Sequence, residues 1–190
     1  MKITRYITDK CLLCNCNNAD KTGSHIVPAS MLEKVIGEKD KEHSYTFSTK
    51  SDELLDEYFG RKHIQKLFTE IKKPNFAYDF ILCKNCETYF SEIESIVTPK
   101  LKNLNEIFEN EHNQLNDIKY VEIQKMNSNL IRLLFYSVIW RLIIQDYIEN
   151  GSFPNHIIEI EIKLRKILLK YKSLKQKELK KIEITDNFLL

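Results

Sequence analysis

The sequence predicts an α+β fold that is predominantly helical, with a small cysteine-stapled strand–strand–helix unit leading and a helical bundle following. Three observations predict it. Two C-x-x-C pairs, Cys11-Leu-Leu-Cys14 and Cys83-Lys-Asn-Cys86, lie far apart in the chain, and two such turns together supply the four thiolates of a tetrahedral metal site. The run Asn75-Phe-Ala-Tyr-Asp-Phe-Ile-Leu-Cys83 is aromatic and β-branched and leads straight into the second pair, a strand signal. Beyond Pro99, apolar residues recur at helical spacing, and the 190 residues hold only four Gly and four Pro, too few for a loop-rich fold.

In chain order, residues 1–10 alternate Ile3, Arg5 and Ile7 and read as a short strand or extended lead-in. Asn15 to Gly23 has loop composition, and Gly23 can take the positive φ that a returning hairpin needs. Ser24-His25-Ile26-Val27 is then the return strand, ended by Pro28. Helical turns are expected over Ala29–Val35, from Ser51 onward and over His63–Ile71, so that about 29–74 forms a helical insertion between the halves of the stapled unit. Glu87 to Val97 reads as the helix of that unit, which closes a first domain at 1–98.

The remainder, 99–190, is expected to be helical throughout. Leu101, Leu104, Ile107 and Phe108 form one stripe. Leu130 to Tyr147 is apolar nearly all round and predicts a buried central helix, broken at Gly151 and Pro154. Ile160, Leu164, Ile167, Tyr171 and Leu174 repeat at 4-3-4-3 spacing, a seam for packing within a bundle or for a homodimer through the C-terminal helices.

A net charge of +2 permits a nucleic-acid partner without pointing to one. The start of the chain has no apolar leader, and its most apolar run carries Arg132 and Arg141 and falls short of the about 20 residues a membrane span needs. The expectation is a cytoplasmic protein with no membrane association. In that compartment an odd count of five cysteines argues against disulfides. Structural zinc on Cys11, Cys14, Cys83 and Cys86 is the reading the spacing favours, with redox or iron–sulfur chemistry as the alternatives. Cys16 is left over as a free thiol or a competitor of Cys14. The zinc would hold His25 and Glu87 near each other.

These residues resemble the HNH endonuclease superfamily, the ββα-metal nucleases, in its zinc-stapled branch. The likeness rests on C-x-x-C, then Ser24-His25-Ile26-Val27-Pro28, then a strand ending in Leu82-Cys83, then a second C-x-x-C followed by Glu87. Ser137-Val-Ile-Trp140-Arg141 is similar to a recurring feature of a bacterial subgroup. The resemblance implies a zinc-stabilised ββα-metal unit over roughly half the chain and a metal-dependent endonuclease. His25 would be the general base; an imidazole with a pKa near ~6.5 accepts a proton at neutral pH. Mg²⁺ or Mn²⁺ would be the catalytic ion, DNA or RNA the substrate, and antiviral defence a plausible setting, with an operon-encoded protein partner supplying specificity or activation.

Two positions depart from the family pattern. The residue before the histidine is commonly an acid and here is Ser24; the residue after the last cysteine is commonly Asn and here is Glu87, a hard ligand suited to Mg²⁺. Glu94 lies two turns beyond Glu87 on the same helix face, about 10 Å away, which favours a supporting role over shared ligation. Arg141, set in an otherwise apolar helix, is the expected partner of Glu94. Arg61, Lys62 and His63 are candidates for phosphate contact, and the other histidines read as surface residues. Nine basic residues against one acid between Lys163 and Lys181 mark a solvated helix face or a strip that tracks a nucleic-acid backbone. The rival functions are a non-catalytic zinc-binding nucleic-acid or protein interaction module, and a structural subunit docking through the heptad seam.

Overall fold

The computed structural model describes residues 2–28, 31, 43–47, 54–58, 77–102, 113–115, 118–120 and 126–184. It divides into two compact units, one of Met1–Val27 with Phe76–Leu190 and one of Pro28–Asn75. The first unit therefore joins the cysteine-stapled elements to the C-terminal helices, where the sequence suggested a boundary near residue 98.

In the first unit, β1 (Ser24–His25) pairs antiparallel with β4 (Ala77–Tyr78) in the register Ser24↔Tyr78 and His25↔Ala77. Both strands are shorter than expected. Phe80 adopts φ +58°, a left-handed conformation that ends β4, and its N–H donates to the Lys21 carbonyl at 2.8 Å. Gly23 has φ +65° and donates its N–H to Asp79 Oδ1 at 2.7 Å, so the turn into β1 is tied to the exit of β4. The lead-in over residues 2–9 is not a strand; it is anchored by single bonds, Ile3 N–H to the Ile148 carbonyl (2.7 Å) and Arg5 Nε to the Phe80 carbonyl (2.8 Å).

Helix α1 (Lys84–Lys102) begins one residue after Cys83. Asp20, in the first cysteine loop, accepts the Lys84 N–H at 2.7 Å and places a carboxylate at the positive end of the helix. Cys86, Tyr89, Phe90, Ile93 and Val97 are buried, a 3-4 stripe that packs α1 against α2 (Ser128–Asn150). Pro99 stands inside α1, where the sequence suggested a break. It is exposed and three residues from the helix end, so only one ladder bond is forfeited.

Asn127 caps α2 through its side chain, and Gly151 (φ +84°) closes it. The chain then reverses into α3 (Asn155–Tyr171), which packs on α2, and a short α4 (Gln176–Leu179) follows. Leu164, Ile167 and Tyr171 of the heptad seam are buried within the chain, so the seam is used internally. The α2 helix is not buried all round: Phe135, Ile139 and Leu142 are 40–45% exposed along one side.

The region expected to be uniformly helical also contains a hairpin, β5 (Asn113–Leu115) with β6 (Ile118–Tyr120). In the second unit, the described residues are dominated by a hairpin of β2 (His43–Phe47) and β3 (Leu54–Tyr58), in the register His43↔Tyr58 to Phe47↔Leu54. A helix was expected at this second strand because Asp52, Glu53, Asp56 and Glu57 suit a helix N-terminus. Backbone pairing with the Ser44-Tyr-Thr-Phe47 strand overrides that local preference. The turns expected over 29–35 and 63–71, apart from Met31, lie outside the described residues.

Candidate metal centre

The first C-x-x-C turn is built by the backbone. The Asn15 N–H donates to the Cys11 carbonyl and the Cys11 N–H to the Asn17 carbonyl, each at 2.9 Å, with Asn15 at φ +53°. The second turn uses the start of α1: the Cys86 and Glu87 N–H groups both donate to the Cys83 carbonyl at 3.0 Å. The loops also join directly, through Leu12 N–H to the Ile81 carbonyl (2.9 Å) and Lys21 N–H to the Leu82 carbonyl (3.2 Å).

These bonds bring the sulfurs of Cys11, Cys14, Cys83 and Cys86 within 4.8 Å of one another, with Cys14 and Cys83 Sγ 3.8 Å apart. A tetrahedral ion with Zn–S bonds of about 2.3 Å sets its sulfurs about 3.8 Å apart, so the group can hold a metal ion and its donor set suits zinc. Cys11, Cys83 and Cys86 are buried. The thiols respond to this crowding: the Cys86 hydrogen bond lowers the Cys11 pKa to about 4, while the same contact and burial push Cys86 up. Burial also raises Cys83. Four thiolates this close need a cation among them.

Two neighbours of the centre were not legible as such. Asn17 directs Nδ2 at Cys83 Sγ, 3.7 Å away. Lys172, just past α3, is held charged: partial burial alone would lower its pKa, but the hydrogen bond to Cys86 and the charges of Cys86, Cys14 and Cys83 raise it. Cys16 is exposed, with its Sγ directed at the Cys14 carbonyl, outside the group of four.

Strand β1 carries an exposed His25 and a buried Ser24. Ser24 Oγ and Glu87 Oε2 are both buried and have no hydrogen-bond partner among the described residues. Among those residues the four cysteines form the only group of three or more His, Cys, Asp or Glu ligands.

Arg141, 2% exposed, ties the elements together. Its Nη2 lies 2.8 Å from Glu94 Oε1 and 3.2 Å from Ser137 Oγ, its Nη1 donates to the His25 carbonyl at 2.9 Å, and its Nε donates to the Ser137 carbonyl at 3.2 Å. The guanidinium also sits 5.1 Å from the centre of the Phe90 ring. The four acceptors lie on three elements: the His25 carbonyl on β1, Glu94 on α1, and the Ser137 carbonyl and hydroxyl on α2 itself. A buried carboxylate, Glu161, accepts Trp140 Nε1–H at 3.0 Å and fastens α3 to α2.

Of the other candidates, Arg61, Lys62 and His63 lie outside the described residues, and His156 is exposed. No described helix is long and apolar enough to cross a membrane. Comparison of the chain with protein-family models, with curated proteins and with solved structures finds no match.

Proposed function

We propose that this protein is a zinc-stabilised, metal-dependent endonuclease of HNH-like character that hydrolyses nucleic-acid phosphodiester bonds, with DNA as the first substrate to test. The observation that carries this reading is the company His25 keeps. An exposed imidazole stands on the two-stranded unit that leads into the second cysteine turn and α1; Ser24, its neighbour in sequence, and Glu87, in the first turn of α1, each have a buried side-chain oxygen, Oγ and Oε2, with no partner among the described residues. A buried oxygen without a partner costs about 1–3 kcal/mol, more if charged, and an ion or an ordered water relieves that cost.

In this reading His25 takes the proton from the attacking water, Glu87 and Ser24 offer oxygens to Mg²⁺ or Mn²⁺, and the zinc serves only to hold the unit together. When bound, the divalent ion neutralises charge on the scissile phosphate and the leaving oxygen. The Arg141 bond to the His25 carbonyl fixes the strand that aims the imidazole. Thiol-based metal binding suits a reducing, cytoplasmic setting, and an antiviral role with an operon-encoded partner fits a nuclease of this size.

The second reading is a non-catalytic zinc-bound interaction module. It is favoured by the exposed lysines of α3, α4 and the turn that follows, among them Lys163, Lys166, Lys177 and Lys181, which offer phosphate contacts whether or not His25 acts. Incubating zinc-loaded protein with plasmid DNA and single-stranded RNA, with and without Mg²⁺ or Mn²⁺, separates the two. Cleavage is expected only with added divalent ion and is expected to fall at least about 100-fold in E87A, at unchanged zinc content. Inert wild-type protein, or E87A as active as wild type, would overturn the nuclease assignment.

A further inference from the structure

The exposed side of α2 carries Arg132, Phe135, Ile139, Leu142 and Asp146 in that order. At 100° per residue these five fall on one stripe, and over 14 residues it runs about 21 Å along the helix. Three large apolar side chains 40–45% exposed at successive turns of one helix are unusual on a surface that solvent alone covers. The heptad seam on α3 offers no such surface, because its residues are spent inside the chain.

The stripe reads the same in both directions. Arg132 and Asp146 stand seven residues either side of Ile139, and Phe135 and Leu142 are nearly symmetric about it. A two-fold axis through Ile139 that lays a second α2 antiparallel on the first sets Ile139 on Ile139 and Phe135 on the partner's Leu142. It also sets Arg132 against the partner's Asp146, twice. Opposite charges at the two ends of a self-complementary apolar strip are what an isologous interface requires. A parallel arrangement would instead place like charges together.

We propose that this face of α2 is a homodimer interface, formed by a second copy of this chain packed antiparallel across Ile139. The inference is independent of the nuclease reading. About 21 Å of a single helix pair is a small contact, near the lower limit of specific interfaces, so the dimer belongs in the micromolar range and weakens with salt.

Sedimentation velocity on the full, zinc-loaded chain from about 5 to about 200 μM tests it, spanning the affinity such an area supports. Wild type is expected to pass from monomer to dimer. R132E and D146R are each expected to weaken the dimer at least about tenfold, because each opposes like charges at both ends. Mixing the two single variants is expected to restore association, since every end contact in the mixed dimer is again between opposite charges; the recovery itself shows that both variants fold. I139D is expected to abolish association. Wild type that stays monomeric throughout, a dimer indifferent to R132E and I139D, or no recovery on mixing would overturn the proposal.

Discussion

Stripping the metal with a strong chelator is expected to melt β1, β4 and the first turns of α1 while the α2–α3 pair keeps its helicity. The two regions rest on different physics. Trp140, Leu130, Leu133, Ile144, Leu164 and Leu168 give α2 and α3 an apolar core of their own. The β1–β4 pair has two residues per strand, far too few to be stable alone, and depends on the cysteine turns that bracket it. Removing the ion leaves four sulfurs within 4.8 Å of one another, three of the cysteines buried, with no cation among them. Apparent metal-binding energies of about 10–16 kcal/mol in zinc-finger peptides show how much folding free energy such a centre can carry. Hydrogen exchange read by mass spectrometry should show protection lost in 10–27 and 77–90, retained in 130–170, and recovered when zinc is returned. C86S should behave like the chelated protein. C16S should behave like wild type, because Cys16 stands outside the group of four. Uniform protection in the chelated protein would show that the cysteines are not what holds this unit together.

Replacing Arg141 is expected to be the most damaging single change away from the metal. Its guanidinium is almost wholly enclosed and satisfies the His25 carbonyl, Glu94 and Ser137 at once. R141M keeps much of the bulk but leaves Glu94 without its cation and the His25 carbonyl without its donor. Glu94 retains 23% side-chain exposure and can turn partly to water, so the loss should be about 2–4 kcal/mol, at or just below the range for breaking a buried pair. E94Q strands the enclosed charge and is expected to cost a comparable amount, while the R141M/E94Q double variant should cost less than the two single losses added together. R141K should not rescue, because an ammonium cannot span three acceptors in the plane that a guanidinium does. Denaturant unfolding of the four variants measures the cycle, and strictly additive losses would mean that the 2.8 Å contact contributes no coupling.

How much of this could be read from residues alone depended on whether chemistry or tertiary packing decided the matter. The four cysteines were legible because a shared ion is the simplest use of two C-x-x-C turns so far apart, and the structure brings their sulfurs together. The Arg141–Glu94 contact was legible because a guanidinium in an apolar helix has to find a carboxylate, and Glu94 was the acid on the right helix face. Asn17 and Lys172 were not legible as neighbours of the centre, since nothing local in Lys172 says that the end of α3 returns to Cys86. The β2–β3 hairpin was misread for a related reason: Leu54–Tyr58 has a helix-like acid pattern, and the strand that captures it is supplied by His43–Phe47. The α2 helix shows the limit of hydropathy most clearly. An apolar run identifies a helix that must be covered, but it does not say whether the cover is the chain's own core or, as argued for Phe135, Ile139 and Leu142, a second molecule.

The proposed function rests on His25, and the most direct test is the rate of plasmid cleavage by H25A against wild type at neutral pH with Mg²⁺ or Mn²⁺, at equal zinc content and equal helicity. His25 is exposed and, among the described residues, holds the fold through its backbone bonds, so the substitution should leave structure and metal untouched. Loss of a general base predicts cleavage slower by about 10²–10⁴-fold. Cleavage by H25A at the wild-type rate would contradict the account and move the chemistry away from this strand.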